Sequence, residues 1–300
     1  MAGAVTPDWI AIDWGTSNLR AWAMQCGQVV STAQSADGMG KLDTSGFEPA
    51  LRALLADWHV TSETPILACG MVGSRQGWVE APYRAVPCAP LSGDAVKAPA
   101  EAFSVRVLPG LRQDNPADVM RGEETQIAGF LALNDGWDGV ICLPGTHTKW
   151  VQVSAGEVVS FQTFMTGELF ALLAGQSVLR HSVARAGWDD ATFDDAVADA
   201  LSKPEKLAAR LFSIRASDLL TQASPMSNRA RLSGLLLGAE LAATRPYWLG
   251  TQIAIIGDDQ LAAPYARALQ SQGALATITD AERMTLAGLT AAFRQQKDTV

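Results

Sequence analysis

Apolar residues along this chain gather in short unbroken runs that end on glycine turns, and in longer runs at helical spacing. The run 9–12 leads into Asp13-Trp14-Gly15-Thr16-Ser17-Asn18, a second run covers 19–24, and Cys26-Gly27-Gln28 precedes Val29-Val30. This predicts strand, tight turn, strand, turn, strand. Residues 47–58 carry apolar positions at helical spacing and predict an amphipathic helix. Residues 65–69 predict a short strand running into Gly70-Met71-Val72-Gly73. The stretch 82–109, rich in proline and alanine, is expected to be irregular. A helix is expected over 118–133, with Arg121, Gly122, Glu123 and Glu124 near its start.

The opening pattern then returns. Residues 139–143 form an apolar run, Pro144-Gly145-Thr146-His147 a turn, 148–153 a second run and 158–164 a third. An offset of 130 residues places Gly15-Thr16 on Gly145-Thr146 and Ser17-Asn18 on His147-Thr148. Helices are expected over 168–183, 193–200, around 207–214, and over 230–243. A strand over 251–256 enters Gly257-Asp258-Asp259, and helices over 261–270 and 281–295 complete the chain. A hairpin meander followed by helices, occurring twice, predicts an α/β protein of two lobes with mixed sheets, divided into 1–120 and 121–300. The cleft between lobes is then the expected ligand site.

Composition narrows the partners. Hydrophobic residues make up 48% of 300, enough apolar mass for two cores. The net charge of −8 comes with no basic cluster, which excludes nucleic acid and an anionic membrane surface as expected partners. It does not exclude a nucleotide, because backbone N–H groups and a metal ion hold phosphates. There is no apolar run of about 18 residues, the length a membrane helix needs. No basic segment precedes an apolar leader, so a cytoplasmic protein is expected. Cys26, Cys69, Cys88 and Cys142 show no paired or zinc-binding spacing and are expected to be reduced thiols. A homo-oligomer is compatible with the sequence.

The glycine turns carry the chemistry. Glycine lets a backbone approach a phosphate closely, and successive N–H groups in such a turn make an anion-binding nest. Thr16, Ser17 and Asn18 add side-chain donors to Gly15. Asp13, at the strand end, can hold Mg²⁺ directly or through water, since that ion takes oxygen ligands and keeps much of its hydration. A plain hairpin with polar tips would look the same; the second Gly-Thr turn argues against that, because a nucleotide needs holding from both lobes. In the second turn Leu143 stands where the offset would put an aspartate. That turn is therefore expected to offer N–H groups and the Thr146 and Thr148 hydroxyls, but no carboxylate. Lys149 could reach a phosphate or be a surface lysine, and His147 is more simply a hydrogen-bonding residue than a catalyst.

Ile-Asp-Trp-Gly-Thr-Ser-Asn at 12–18 resembles the first phosphate loop of the actin/hexokinase superfamily, Leu-Pro-Gly-Thr-His-Thr-Lys-Trp at 143–150 its second, and Ile256-Gly257-Asp258 its adenosine motif. Gly-Met-Val-Gly-Ser at 70–74, Met-Arg-Gly-Glu-Glu-Thr-Gln at 120–126, Met-Thr-Gly-Glu-Leu at 165–169 and Leu-Ser-Gly-Leu-Leu-Leu-Gly-Ala-Glu at 232–240 narrow this. Together these strings resemble the 2-dehydro-3-deoxygalactonokinases, in order and from about Trp9 onward. The resemblance implies a duplicated RNase H-like fold binding ATP and Mg²⁺, and transfer of the γ-phosphoryl group to the 6-hydroxyl of 2-dehydro-3-deoxygalactonate. Related sugar kinases carry a Gly-Asp base where Gly122-Glu123 stands, which implies Glu123 as the base, with Glu124 the neighbouring candidate. Both carboxylates would also suit a helix N-terminus. The acid brings a carboxylate, which arginine matches. Arg20, Arg75 and Arg121 are the candidates, with Ser74 in the loop where related kinases contact substrate and Trp78 as a stacking surface. Rival readings are a kinase for a related 2-keto-3-deoxy sugar acid, an exopolyphosphatase-like phosphohydrolase of the same superfamily, and a nucleotide-dependent regulatory module.

Overall fold

The computed structural model describes residues 5–91 and 93–298. Its first strand, β1 (Trp9–Trp14), is apolar on both faces and lies inside a sheet. β2 (Leu19–Gln25) and β3 (Gln28–Ser35) follow antiparallel on one side of it. Helix α1 (Phe47–Leu54) then leads to β4 (Pro65–Cys69), which pairs parallel with β1 on the other side. The chain continues through β5 (Arg84–Ala85), β6 (Val96–Lys97), β7 (Ser104–Val107), β8 (Leu111–Asp114) and β9 (Ala117–Met120). The large sheet runs β3-β2-β1-β4-β7-β6, and β5-β8-β9 form a small separate one. β3 is mostly polar and alternates in burial, which suits an exposed edge.

Two expectations change here. The stretch 82–109 is not irregular throughout: it contains β5, β6 and β7, and β7 was hidden because Arg106 points outward in an alternating strand. The helix expected over 118–133 is α2 (Glu123–Leu133), and residues 117–120 are strand. The break is Gly122, whose φ of 106° is open to glycine and strained for other residues, so the helix starts at the glutamates rather than before them.

The second half repeats the plan. β10 (Gly139–Leu143), β11 (Thr148–Ser154) and β12 (Glu157–Phe164) form the meander. Helices α3 (Thr166–Gly175), α4 (Asp190–Ser202), α5 (Leu207–Thr221), α6 (Pro225–Ala243) and α7 (Arg245–Trp248) precede β13 (Ile253–Ile256), α8 (Asp259–Ser271), β14 (Ala276–Thr279) and α9 (Ala281–Asp298). The sheet runs β12-β11-β10-β13-β14, with β13 parallel to β10 and to β14. Both sheets are thus a three-stranded meander continued by two parallel strands, and the first adds β6 antiparallel at its edge. β14 escaped the sequence reading because its residues alternate in polarity and are only partly buried.

Two compact units result: residues 1–137, 154–160 and 281–300, and residues 138–153 and 161–280. The division therefore falls elsewhere than 120/121. In the first unit Trp14 packs with Phe47 and Trp78 on one sheet face, while Leu289, Ala292 and Phe293 of α9 cover Trp9 and Leu67 on the other. What binds α2 to this unit is its crossing with α9. A methyl group on Gly129 would lie 1.9 Å from the Met284 carbonyl oxygen, and one on Gly288 1.9 Å from that of Thr125. Gly129→Val should therefore lower stability by about 3 kcal/mol, the upper range for an overpacked site, read as a shifted denaturant midpoint. An unchanged midpoint would contradict this crossing.

Candidate active site

In the first unit the β1–β2 turn is held from behind. The Gly15 N–H donates to the Asn18 carbonyl at 3.0 Å. The Gly15 and Thr16 carbonyls accept from Met39 and Gly40 N–H groups at 2.9 Å. The Trp14 indole donates to the Asp37 carbonyl at 2.9 Å. With those acceptors occupied, the turn presents the exposed Thr16, Ser17 and Asn18 side chains. Trp14 itself is fully buried, so it anchors the turn and does not cover a ligand.

Asp13, next to last in β1, pairs opposite Arg20, with Oδ2 and Nη1 3.7 Å apart. Its side chain keeps 26% exposure. Burial raises its pKa; Arg20 opposes this, while Glu282 and Glu123 add to it. Two glycines bring α2 to this carboxylate. Gly70, at φ 94°, would place a methyl 2.8 Å from the Trp14 carbonyl oxygen and 3.4 Å from Asp13 Oδ1. A methyl on Gly122 would lie 3.4 Å from the Gly70 Cα. The start of α2 thus sits against the end of β4, with Asp13 beyond it.

The two glutamates differ. Glu123 is half-buried, and its Oε2 accepts from the Arg121 N–H at 3.0 Å. Glu124 is fully buried; its Oε2 accepts from the Gly122 N–H at 2.7 Å, and its Oε1 from the Thr125 hydroxyl at 3.2 Å. Burial first, then the Glu123 charge, pushes the Glu124 carboxyl to about 8. Enclosed, and with its carboxyl pushed up to about 8, Glu124 caps the start of α2.

The remaining first-unit candidates also divide. Trp78 is 5% exposed and stacks at 5.9 Å on Phe47, so it belongs to the core and offers no sugar-stacking surface. Arg75 is exposed beside Glu80, 3.5 Å away. Ser74 and Arg121 are buried.

In the second unit β10 and β11 pair as far as Leu143–Lys149, while β1 and β2 pair one step further, to Trp14–Leu19. Leu143, the counterpart of Asp13, is paired with Lys149 as Asp13 is with Arg20, so Lys149 takes the register position of Arg20. Lys149 is buried, not a surface lysine. Thr148 is also buried, and its hydroxyl lies 2.8 Å from the Tyr265 hydroxyl, so it points inward rather than toward a phosphate. Thr146 and His147 are exposed, and Gly145 partly so. α3 begins against this turn: the Glu168 N–H donates to the Thr146 carbonyl at 2.9 Å, and His147 Nε2 lies 2.6 Å from Glu168 Oε2.

Glu240 of α6, which sequence reasoning missed as a site residue, gathers this region. It accepts from the Trp150 indole at 2.7 Å, from the Tyr265 hydroxyl at 3.0 Å and from the Thr166 hydroxyl. Burial raises its pKa, and those three donors counter the shift. Beside the turn is a cavity of about 250 Å³, reached by Gly145, Thr166, Phe170, Arg229, Ser233 and Gln260. Gly257 is buried at the end of β13, where a methyl group would lie 3.6 Å from the Pro144 ring. Asp258 caps α8 by accepting from the Leu261 N–H at 3.0 Å. The only forward signals for this wall were the strings at 165–169 and 232–240, since Phe170, Arg229 and Gln260 match no motif of their own.

A duplicated meander-plus-parallel-strand sheet, each copy ending in a polar glycine turn, defines the actin/hexokinase-like ATPase fold. Within that class the chain belongs to the 2-keto-3-deoxy-galactonokinase family, whose model matches residues 13–292. It is 40% identical over 293 residues to "Probable 2-dehydro-3-deoxygalactonokinase DgoK1" of Rhizobium meliloti strain 1021, covering 95% of this chain and 96% of that one. It is 35% identical over 289 residues to the 2-dehydro-3-deoxygalactonokinase of Escherichia coli K12, covering 95% and 97%. The crystal structure of "a putative 2-dehydro-3-deoxygalactonokinase protein" from Sinorhizobium meliloti superposes with a TM-score of 0.91 at 39% identity, covering 96% of this chain and 99% of that one.

Glu124 gives a test of sign. Its folded pKa of about 8 lies above the ordinary 4.5. The folded chain therefore holds a proton that the unfolded chain has lost between those values, and stability falls as pH rises from about 5 to 8. Glu124→Gln removes the ionisation: its amide oxygen can accept from the Gly122 N–H while its NH2 donates to the Thr125 hydroxyl. It should flatten that fall and be no less stable than the parent at pH 8, as read by denaturant midpoints across pH. A variant that is less stable by the same amount at every pH would contradict a buried, protonated Glu124.

Proposed function

We propose that this chain is an ATP-dependent kinase that phosphorylates 2-dehydro-3-deoxygalactonate on its 6-hydroxyl. The carrying observation is the half-buried Glu123 at the start of α2, brought to the Asp13 end of β1 by the Gly70–Gly122 approach. The substrate comes from the family and from the activity named for its relatives.

Each unit has its own share. Asp13 suits Mg²⁺: it is one partly exposed carboxylate, buried enough to favour a cation, and no cluster of three ligating side chains occurs among the described residues. Mg²⁺ usually takes one or two carboxylates and fills its shell with water and phosphate oxygens. When bound, it supplies charge neutralisation at the transferring phosphoryl group. Glu123 accepts the proton of the 6-hydroxyl, its carboxylate oriented by the Arg121 N–H on Oε2. Thr16, Ser17 and Asn18 donate to phosphate oxygens. In the second unit Gly145 and Thr146 hold phosphate, and the cavity beside them takes the adenosine between Phe170 and the Gln260 end of α8. That cavity favours a kinase over an exopolyphosphatase-like enzyme, which needs no base pocket.

ATP turnover with and without a panel of 2-keto-3-deoxy sugar acids tests the reading, with Glu123→Gln as the mechanistic probe. Turnover should depend on 2-dehydro-3-deoxygalactonate, and the variant should lose roughly 10²–10⁴-fold in kcat, the span of a general base, with little change in KM. ATP hydrolysis indifferent to the acid would contradict the kinase, and near-normal kcat in the variant would contradict the base.

A further inference from the structure

The first unit contains a guanidinium with too few partners. Arg121 is 7% exposed. Its Nη2 donates to the Ala81 carbonyl at 2.7 Å, and its Cζ lies 4.2 Å from the centre of the Tyr83 ring. Its Nε and Nη1 have no hydrogen-bond partner, and neither has the hydroxyl of Ser74, which is 4% exposed. Arg121 Nη1 lies against the segment that carries Ser74: a methyl group on Gly73, the residue before it, would be 2.8 Å from that nitrogen.

Burying a cation with unmet donors is strongly unfavourable unless an anion joins it. A ring face and one carbonyl offset only part of that cost. Glu124, near enough to sense this charge, is itself protonated at neutral pH. The other two arginine candidates are already supplied: Arg20 faces Asp13 at 3.7 Å, and Arg75, with 81% of its side chain exposed, is solvated beside Glu80. Arg121 also lies two residues before Glu123 and gives that side chain its N–H.

We propose that the Arg121 guanidinium and the Ser74 hydroxyl receive the carboxylate of the acceptor sugar acid and make the enzyme selective for acids over neutral sugars. This deepens the sugar-acid kinase reading and rests on it. The carboxylate supplies the acceptors that Nε and Nη1 lack, while the Arg121–Ala81 hydrogen bond holds the guanidinium in place.

The test compares kcat/KM for 2-dehydro-3-deoxygalactonate and for its neutral methyl ester in the parent enzyme, Arg121→Gln, Arg121→Lys and Ser74→Ala. Losing a hydrogen bond to a charged group costs on the order of 10- to 100-fold. Arg121→Gln should lose about that much with the acid and far less with the ester, so that the acid/ester ratio collapses. Arg121→Lys should fall between, keeping the charge but not the planar donors, and Ser74→Ala should show a smaller loss in the same direction. Equal losses with both substrates in all three variants would make these residues structural and overturn the proposal. So would a collapse in Arg75→Gln with none at Arg121. No turnover of the acid by the parent enzyme would overturn the kinase reading itself, a separate result.

Discussion

The first unit's candidate site depends on one backbone approach. Gly70 lies so close to Trp14 and Asp13 that a methyl group there would sit 2.8 Å from a carbonyl oxygen, and Gly122 packs on the Gly70 Cα from the other side. A side chain at Gly70 would push the elements apart, and Gly122, at φ 106°, holds a backbone conformation that is strained for any other residue. Because they are both glycine, the end of β1, the end of β4 and the start of α2 converge. Asp13 and Glu123 then share one electrostatic neighbourhood, as the influence of Glu123 on the Asp13 pKa shows.

The duplication has diverged in a physically consistent way. The first turn keeps Asp13 against Arg20, a carboxylate suited to a cation. At the same register the second turn has Leu143 against Lys149 and no carboxylate. Its organising acid lies elsewhere, on α6. Glu240 draws in donors from β11, α3 and α8 and so fixes the wall of the cavity beside Gly145. On the proposed reading one copy has kept the acid that meets metal, while the other has moved its acid inward as a scaffold.

Much of this was legible in the chain. Both meanders, β4 and the helices α4, α5, α6, α8 and α9 were marked by buried apolar runs or helical periodicity, and the repeated Gly-Thr turns marked the two candidate loops. What failed did so for identifiable reasons. β7 and β14 alternate in polarity, so neither makes an apolar run. The 117–120 strand merged with α2 because only the φ of Gly122 separates them. Trp78, Thr148 and Lys149 are polar or aromatic residues beside glycine-rich loops and so read as ligand contacts. All three are buried, which spacing along a chain does not reveal. The unit boundary was misplaced because α9 returns to pack on α2, a contact between residues far apart in sequence.

The account's central claim is that the Gly70 approach assembles the reacting groups, and Gly70→Ala tests it most directly. Turnover of ATP with 2-dehydro-3-deoxygalactonate would be measured alongside thermal unfolding. The account predicts a folded variant, its Tm lowered by several degrees as for a local strain of about 1–2 kcal/mol. Its kcat should fall at least about tenfold, because displacing reacting groups by a fraction of an ångström is costly. A folded variant with the parent's kcat would show that Asp13 and Glu123 do not need this contact, and would contradict the account.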